Sequence, residues 1–133
     1  MLYAIFCYDS EDKVGAWTKE EDDTAIAKLV AVQQDLARAG KLGPVARLLP
    51  TKSARTLRKG RTTTVLDGPF AETKEQLLGF FIVDCASMEE ALQAASDLGK
   101  ASSSEGAYEV RPIGTFNPLG AAHAAGAKGQ LPG

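Results

Sequence analysis

The apolar run LLGFFIVDC, residues 77–85, decides the fold of this chain. Aromatic and β-branched side chains in a run of this length are typical of a β-strand. Side chains alternate between the two faces of a strand, so Phe80 and Ile82 share one face. Phe81 and Val83 share the other. Both faces are therefore apolar, and we expect both to be covered.

The beginning of the chain repeats this two-faced pattern. The run LYAIFCY, residues 2–8, predicts another strand, which ends at the polar residues DSED. Tyr3, Ile5 and Cys7 share one of its faces. The other face carries further apolar side chains, at Leu2, Ala4, Phe6 and Tyr8.

Three further segments carry weaker strand patterns. GPVARLLP, residues 43–50, predicts a strand closed by Pro50. AYEVRPIGTF, residues 107–116, predicts the last strand. ARTLRKGRTTTVL, residues 54–66, predicts a β-hairpin with its turn at Lys59-Gly60.

Two segments, TKEEDDTAIAKLVAVQQDLARAG and SMEEALQAASDLG, predict helices. The pairs Thr18 with Glu21 and Ser87 with Glu90 have the spacing of a capping box, in which each side chain bonds an exposed amide of the first turn. Apolar residues recurring every three or four positions predict the buried sides. They are Ile26, Leu29, Val30, Leu36 and Ala37, broken by polar Gln33, in the first helix, and Met88, Ala91, Leu92, Ala95 and Leu98 in the second.

The order of elements is strand, helix, strand, hairpin, strand, helix, strand. Without the hairpin this is the ferredoxin-like βαββαβ fold of the α+β class, in which the helices cover one face of an antiparallel sheet. The other face would stay uncovered, although its side chains are apolar. A second copy of the sheet would cover it, so we expect a homodimer packed sheet to sheet. The alternative is that the C-terminal segment folds back as the cover.

Composition and charge exclude several classes of partner. The chain of 133 residues has a net charge of −2, so we expect neither nucleic acid nor an anionic membrane as its main partner. The opening residues have no secretory leader pattern, and no segment resembles a membrane span. We therefore expect a cytoplasmic protein.

The metal-binding and redox residues of the chain are few. Cys7 and Cys85 lie in apolar runs and predict two free, buried thiols. Their separation from His123, the sole histidine, fits no zinc site. No nucleotide-binding motif is present, so we expect no metal and no cofactor.

The loop DGPFAETKEQ, ten residues from Asp67, joins the hairpin to the decisive apolar run. Pro69 keeps Gly68 out of the helical region, and we expect Phe70 to enter the core. Loops of this length in compact domains are often functional. Asp67 is therefore a candidate catalytic acid or base, if its surroundings raise its pKa. The alternative is that its carboxylate caps amides of the turn.

Basic residues are concentrated in one stretch. Between Asp35 and Asp67 there are eight basic residues and no acidic one. Such a stretch is either a solvated face or a surface that binds an anion or an acidic patch on another protein.

Three residues are candidates for ligand binding. Arg55 and Arg111 lie on predicted strands, where a guanidinium can hold a carboxylate or phosphate through two hydrogen bonds. Tyr3 could line the floor of a small apolar pocket with Tyr8 and Phe80. The alternative is that these aromatic residues belong to the core.

The segment DGPFAETKEQLLGFF resembles the signature of the YCII-related, DGPF-domain proteins. The similarity extends to LYAIFCY, TKEE and YEVRPI, and covers residues 1–116 as one domain, followed by a Gly/Ala-rich tail, residues 117–133. The resemblance implies a dimeric α+β barrel built on the ferredoxin-like fold. Some related proteins lie near extracytoplasmic-function sigma factors, which implies a regulatory context.

The broader YCII group also has a proposed His/Asp active pair. Asp67 is the counterpart of its aspartate that this resemblance implies. The histidine has no internal counterpart, because His123 lies in the tail. The resemblance therefore does not decide whether the chain is an enzyme.

Three functions fit these observations. The first is binding of a small ligand in a cleft of the homodimer, with Arg55, Arg111 and Tyr3 as candidate binding residues. The second is acid/base catalysis by Asp67 on a small substrate, without metal or cofactor. The third is interaction with a regulatory protein such as a sigma factor.

Overall fold

The computed structural model describes residues 1–101 and 105–118 of the chain. The strands of this part are β1 (Leu2–Asp9), β2 (Leu42–Arg47), β3 (Arg55–Arg58), β4 (Thr64–Asp67), β5 (Gln76–Asp84) and β6 (Ala107–Pro112). The helices are α1 (Glu11–Gly15), α2 (Lys19–Arg38) and α3 (Met88–Lys100), and a 3₁₀ turn lies at Thr51–Ser53.

Four strands form one antiparallel sheet in the order β2-β5-β1-β6. Helix α2 lies between β1 and β2 in the chain, and α3 lies between β5 and β6. This order and pairing confirm the predicted ferredoxin-like α+β fold. Strands β3 and β4 pair only with each other within the described residues, and they form the predicted inserted hairpin.

The core lies between one face of the four-stranded sheet and helices α2 and α3. The sheet contributes Tyr3, Ile5, Cys7, Phe81 and Val83, and the helices contribute Ala91, Ala95, Leu98, Leu29, Val32 and Leu36. These strand residues are the ones that alternation assigned to a single face of each strand. The prediction of that face is therefore confirmed.

The second face of the sheet is apolar as well. Phe6 and Phe80 are direct neighbours across β1 and β5, and so are Ala4 and Ile82. Both phenylalanines are half-buried, whereas Ala4 and Ile82 are 6% and 7% exposed, and the core helices lie on the opposite side of the sheet. The described chain thus has a two-sided sheet with helices on one side.

Both predicted helix caps are present, but only one is a complete capping box. The Thr18 hydroxyl accepts from the Glu21 amide at 3.1 Å, and the Glu21 carboxylate accepts from the Thr18 amide at 3.4 Å. At α3, Ser87 accepts from the amide of Glu90, whereas the Glu90 carboxylate accepts from Ala86 instead of Ser87. The capping residue of each helix is as predicted, because a hydroxyl at this position satisfies an amide that the helix leaves free.

The buried sides of the helices differ from the sequence prediction. Ile26 and Val30 of α2 are 39% and 42% exposed, and Leu92 of α3 is 51% exposed. Ala25 and Val32 instead face the core of the protein. Part of the apolar stripe of each helix therefore lies outside the core.

Helix α1 is a single turn that the sequence prediction missed. Ser10 caps it, since its hydroxyl accepts from the Lys13 amide at 3.3 Å. Glu11 then holds Thr51 with both carboxylate oxygens, accepting from the amide at 2.7 Å and from the hydroxyl at 2.6 Å. This contact fixes the chain that leads into the hairpin against the end of β1.

The hairpin is longer and more exposed than expected. Its connection spans residues 59–63, because Arg58 pairs with Thr64. Phe70 does not enter the core as predicted: it is 73% exposed and lies under the Arg58 guanidinium, 5.0 Å from the ring centre. No other part of the described chain covers this loop. The Phe70 ring therefore makes a cation–π contact with Arg58 and stays exposed.

Candidate functional site

A cavity of about 650 Å³ lies between the four-stranded sheet and helices α2 and α3. The ends of β1, β2, β5 and β6 form its floor, and Trp17 stands at the start of α2. Its volume is within the range of small-molecule binding sites, which are typically concave and mostly apolar.

The walls of the cavity carry the apolar side chains that the core leaves out. Ile26 and Val30 of α2 line it, together with Val45 of β2 and Leu92 of α3. Each of these side chains is between 39% and 51% exposed, although large apolar side chains are usually buried. The cavity thus explains why the predicted helix stripes are incompletely packed.

One end of the cavity contains a buried carboxylate. Asp9, the last residue of β1, is 7% exposed and is the sole buried charged residue of the described chain. Its Oδ1 accepts from the Ser10 amide at 2.7 Å. Its Oδ2 accepts no hydrogen bond from the described residues. Every fully buried polar side-chain atom of the described residues has a hydrogen-bond partner. Asp9 also lines the cavity, so a molecule bound there can approach this side chain.

Gly106 allows the backbone to approach this carboxylate closely. It has a φ of 110°, and a Cβ at this position would lie against the Tyr8 carbonyl oxygen and the Asp9 side chain. A residue with a side chain is disfavoured there for both reasons. The turn before β6 consequently closes over the end of β1.

Cys7 and Tyr108 lie side by side next to Asp9, as direct neighbours across β1 and β6. Burial raises the pKa of the Cys7 thiol to about 12, and the Tyr108 hydroxyl acts in the opposite direction. Burial is also the main cause of the raised pKa of Tyr108, with smaller contributions from Cys7 and Asp9. Both groups are protonated at neutral pH, so Cys7 is not an activated nucleophile.

An ion pair stands at the opposite side of the cavity. Arg47 of β2 lies 3.5 Å from Asp22 of α2, measured between Nη2 and Oδ1. Strands β2 and β1 are two positions apart in the sheet, so their backbones are about 10 Å apart. The guanidinium of Arg47 is thus paired with a residue of helix α2.

The four residues predicted as site residues do not come together. Asp67 and Arg55 are cross-strand neighbours in the hairpin, 3.7 Å apart, with side chains 97% and 76% exposed. Tyr3 lies in the core, and Arg111 lies opposite Ala4 on β6. None of the four lines the cavity. The catalytic role of Asp67 and the binding roles of Arg55, Arg111 and Tyr3 stay predictions.

Two of the three aromatic residues predicted for a pocket floor, Tyr8 and Phe80, line the cavity. Tyr3 lies in the core instead, which is the alternative that the sequence left open. Cys7 and Cys85 are free and buried, as expected.

Sequence reasoning missed Asp9 as a site residue. Alternation from Tyr3, Ile5 and Cys7 would have placed Asp9 on the same buried face, where a carboxylate is unusual and informative. Within residues 1–101 and 105–118, no group of three or more His, Cys, Asp or Glu side chains could hold a metal ion. His123 lies outside the described residues.

Comparisons with known proteins agree with this fold. A family model described as the YCII-related domain matches residues 1–117. An uncharacterised protein of Rhizobium meliloti (strain 1021) is 57% identical over 119 residues, which cover 89% of this chain and 96% of the relative. In the part of the chain that is described, no helix has the length and apolar character to cross a bilayer. The chain belongs to the YCII-related domain family.

Proposed function

We propose that this YCII-related protein is a homodimer and that each subunit binds a small, largely apolar molecule in the cavity between its sheet and helices. The ligand cleft expected from the sequence lay between two subunits. The cavity instead lies within one chain, so it does not need a second subunit to form its walls.

The distribution of exposed apolar side chains supports the proposal. Eleven large apolar residues of the described chain are exposed. Four of them, Ile26, Val30, Val45 and Leu92, line the cavity. Six others lie within residues 48–70, which we call the hairpin region: Leu48, Leu49, Leu57, Val65, Leu66 and Phe70. Apart from Met1, every such residue thus belongs to one of two surfaces, as expected if each surface has a partner.

The four cavity residues favour a small molecule as the partner of the first surface. They surround a concave space, and two residues with polar groups, Asp9 and Tyr108, line one end of it. Apolar walls with a few polar groups at one place are typical of small-molecule sites. This arrangement is the observation that carries the proposal.

The hairpin region and the second face of the sheet favour a second copy of the chain. The half-buried Phe6 and Phe80 lie on a face that helices α2 and α3 do not cover. Most closed oligomers of soluble proteins are symmetric homodimers, in which one surface packs against itself. Two such faces packed together would form the barrel that the family resemblance implies.

Ligand binding can be measured directly, because Trp17 lines the cavity and is the single tryptophan of the chain. We expect octan-1-ol, a neutral apolar probe, to change the fluorescence of Trp17 and the NMR signal of its indole N–H in a saturable manner. Replacing Val45→Phe fills part of the cavity, and we expect affinity to fall by about 5- to 150-fold, since steric overlap costs about 1–3 kcal/mol.

A matched substitution controls for unspecific binding. Val65→Phe makes the same change on an exposed strand residue outside the cavity, where Val65 is 58% exposed. We expect it to leave octan-1-ol binding unchanged. If the two variants bind the probe equally well, the cavity is not the binding site and the proposal fails.

The homodimer is tested by solution mass from light scattering. We expect twice the chain mass of 14.0 kDa for the wild type and 14.0 kDa for Phe6→Glu, which places a carboxylate on the second face of the sheet. Ala27→Glu introduces the same charge on the exposed side of α2 and should remain dimeric. A wild type that stays at 14.0 kDa at micromolar concentration would contradict the dimer.

Acid/base catalysis by Asp67 and an interaction with a sigma factor stay predictions from the sequence. Asp67 is 97% exposed, which leaves its carboxylate in water and outside the cavity. The cavity therefore favours ligand binding over catalysis by Asp67 as the working hypothesis.

A further inference from the structure

Acidic residues outnumber basic residues in the lining of the cavity. The residues that line it include three acidic ones, Asp9, Asp22 and Glu105, and a single basic one, Arg47. The guanidinium is paired with Asp22. The remaining pair of carboxylates, Asp9 and Glu105, belongs to the end of the cavity formed by β1 and the turn before β6. This end is therefore negative.

Among the described residues, only one oxygen of Asp9 has a hydrogen-bond donor. Its Oδ1 is satisfied by the Ser10 amide, but its Oδ2 has no donor among the described residues. A carboxylate buried to this degree normally has partners for both oxygens, because losing water is costly for a charged group. Because Asp9 lines the cavity, a molecule bound there can bring a donor to this carboxylate.

The rest of the cavity determines the other part of the ligand. Trp17, Ile26, Val30 and Leu92 line the space beyond Asp9 and offer apolar surface. A molecule that satisfies both regions has a donor group at one end and a hydrocarbon body. A positive donor suits the carboxylates best, because charge-assisted hydrogen bonds are stronger than neutral ones.

We infer that the ligand of this cavity is an amine with an apolar body, whose ammonium group is held by Asp9. This inference rests on the proposed function, since it assigns the ligand class of the same cavity. Asp9 is then the specificity-determining residue, and Glu105 adds to the negative potential at the cavity end.

The test compares three probes with the same eight-carbon chain and different end groups: octylamine, octan-1-ol and octanoate, at pH 7 and constant ionic strength. At this pH the amine is protonated. Binding is followed through Trp17. We expect octylamine to bind about 10- to 100-fold more tightly than octan-1-ol, as a hydrogen bond to a charged group implies, and octanoate to bind most weakly.

The variant Asp9→Asn keeps an oxygen that can accept from Ser10 and removes the charge. We expect it to lose the preference for octylamine over octan-1-ol, because the ammonium group no longer meets a charge. Asp97→Asn is the matched control: Asp97 is exposed on α3 and outside the cavity, so the preference should stay unchanged. Glu105→Gln serves as a second variant if Asp9→Asn does not fold, and we expect a partial loss of the preference.

The outcomes separate this inference from the proposed function. If all three probes bind with similar affinity, or if octan-1-ol binds most tightly, the cavity remains a ligand site but the amine assignment is overturned. A preference for octylamine that survives in Asp9→Asn overturns the role of Asp9; where that variant does not fold, an undiminished preference in Glu105→Gln overturns the assignment. If none of the probes affects Trp17, the proposed function itself fails, and the inference fails with it.

Discussion

The four-stranded sheet and the hairpin are both antiparallel β-structure, but they bury their side chains very differently. In the sheet, Ile5 and Val83 are 0% exposed. In the hairpin, Leu57 and Val65 form a cross-strand pair and are still 57% and 58% exposed. A two-stranded ribbon has too little surface to form a core of its own. Strand pairing alone therefore does not bury apolar side chains. They are buried where a second layer, here helices α2 and α3, packs against the strands.

The largest difference between the two regions should appear on truncating a leucine in each. Leu98→Ala removes a fully buried side chain from the core, and we expect a loss of about 2–5 kcal/mol in the free energy of unfolding. Urea denaturation measures this value. The loss should be the same at all protein concentrations, because the contacts lie within one chain.

Leu57→Ala is the counterpart in the hairpin. Its side chain is 57% exposed in the single chain, so its effect should depend on whether a second copy covers it. In a dimer, we expect destabilisation through weaker association, which makes the unfolding midpoint more dependent on protein concentration. A loss equal to that of Leu98→Ala at every concentration would break the comparison.

The second prediction compares two glycines with positive φ. Gly106, before β6, would place a Cβ against the Tyr8 carbonyl, whereas a Cβ on Gly68, after β4, would meet no atom within 4 Å. We expect Gly106→Ala to cost about 3 kcal/mol, from backbone strain and the clash together. Gly68→Ala should cost about 1 kcal/mol, from backbone strain alone. Thermal denaturation of both variants checks the order, and equal losses would contradict the close approach at Gly106.

The stability of the protein at alkaline pH should depend on Cys7 of β1. Burial raises the pKa of Cys7 from its ordinary value of 9.0 to about 12, so above pH 9 the unfolded chain loses a proton that the folded chain keeps. Stability therefore falls as the pH rises between these values, by up to about 1.4 kcal/mol per pH unit. We expect Cys7→Ala to flatten this slope in urea denaturation between pH 9 and pH 10.5. Parallel slopes would mean that Cys7 titrates normally in the folded protein.

The smallest effect is expected for the charged pair of the hairpin. Asp67 and Arg55 are separated by 3.7 Å but are almost fully solvated, and exposed ion pairs contribute little to stability. Asp67→Asn should therefore leave the unfolding midpoint unchanged within error, at low and at high salt. A clear decrease at low salt that disappears at high salt would show that this pair fixes the hairpin.

Much of the fold could be predicted because its signals are local. Alternation along β1 and β5 assigned each apolar residue to a face, and the hydroxyls of Thr18 and Ser87 marked the helix starts. These patterns reflect contacts within one element or between adjacent residues. The order of the elements then left the ferredoxin-like arrangement as the simplest one.

The candidate site could not be predicted as well, because a cavity arises from how elements fit together. Ile26, Val30 and Leu92 have the spacing of core residues, and spacing cannot distinguish a wall of the core from a wall of a cavity. Phe70 was placed in the core because it is large and apolar, although the surface that would cover it is not in the described chain. Asp9 was the one recoverable signal, since its position on a buried face was already implied by alternation.

The hydrogen bonds between Glu11 and Thr51 connect the four-stranded sheet to the hairpin region. Glu11 lies two residues after Asp9, and its carboxylate holds the root of the hairpin region through the amide and hydroxyl of Thr51. A shift of the β1 end would therefore also shift Thr51 and the start of the hairpin region. If ligand binding and dimer formation are coupled through this contact, each changes the equilibrium constant of the other by the same factor. Glu11 thus connects the end of β1, at the cavity, to the start of the hairpin region through two hydrogen bonds.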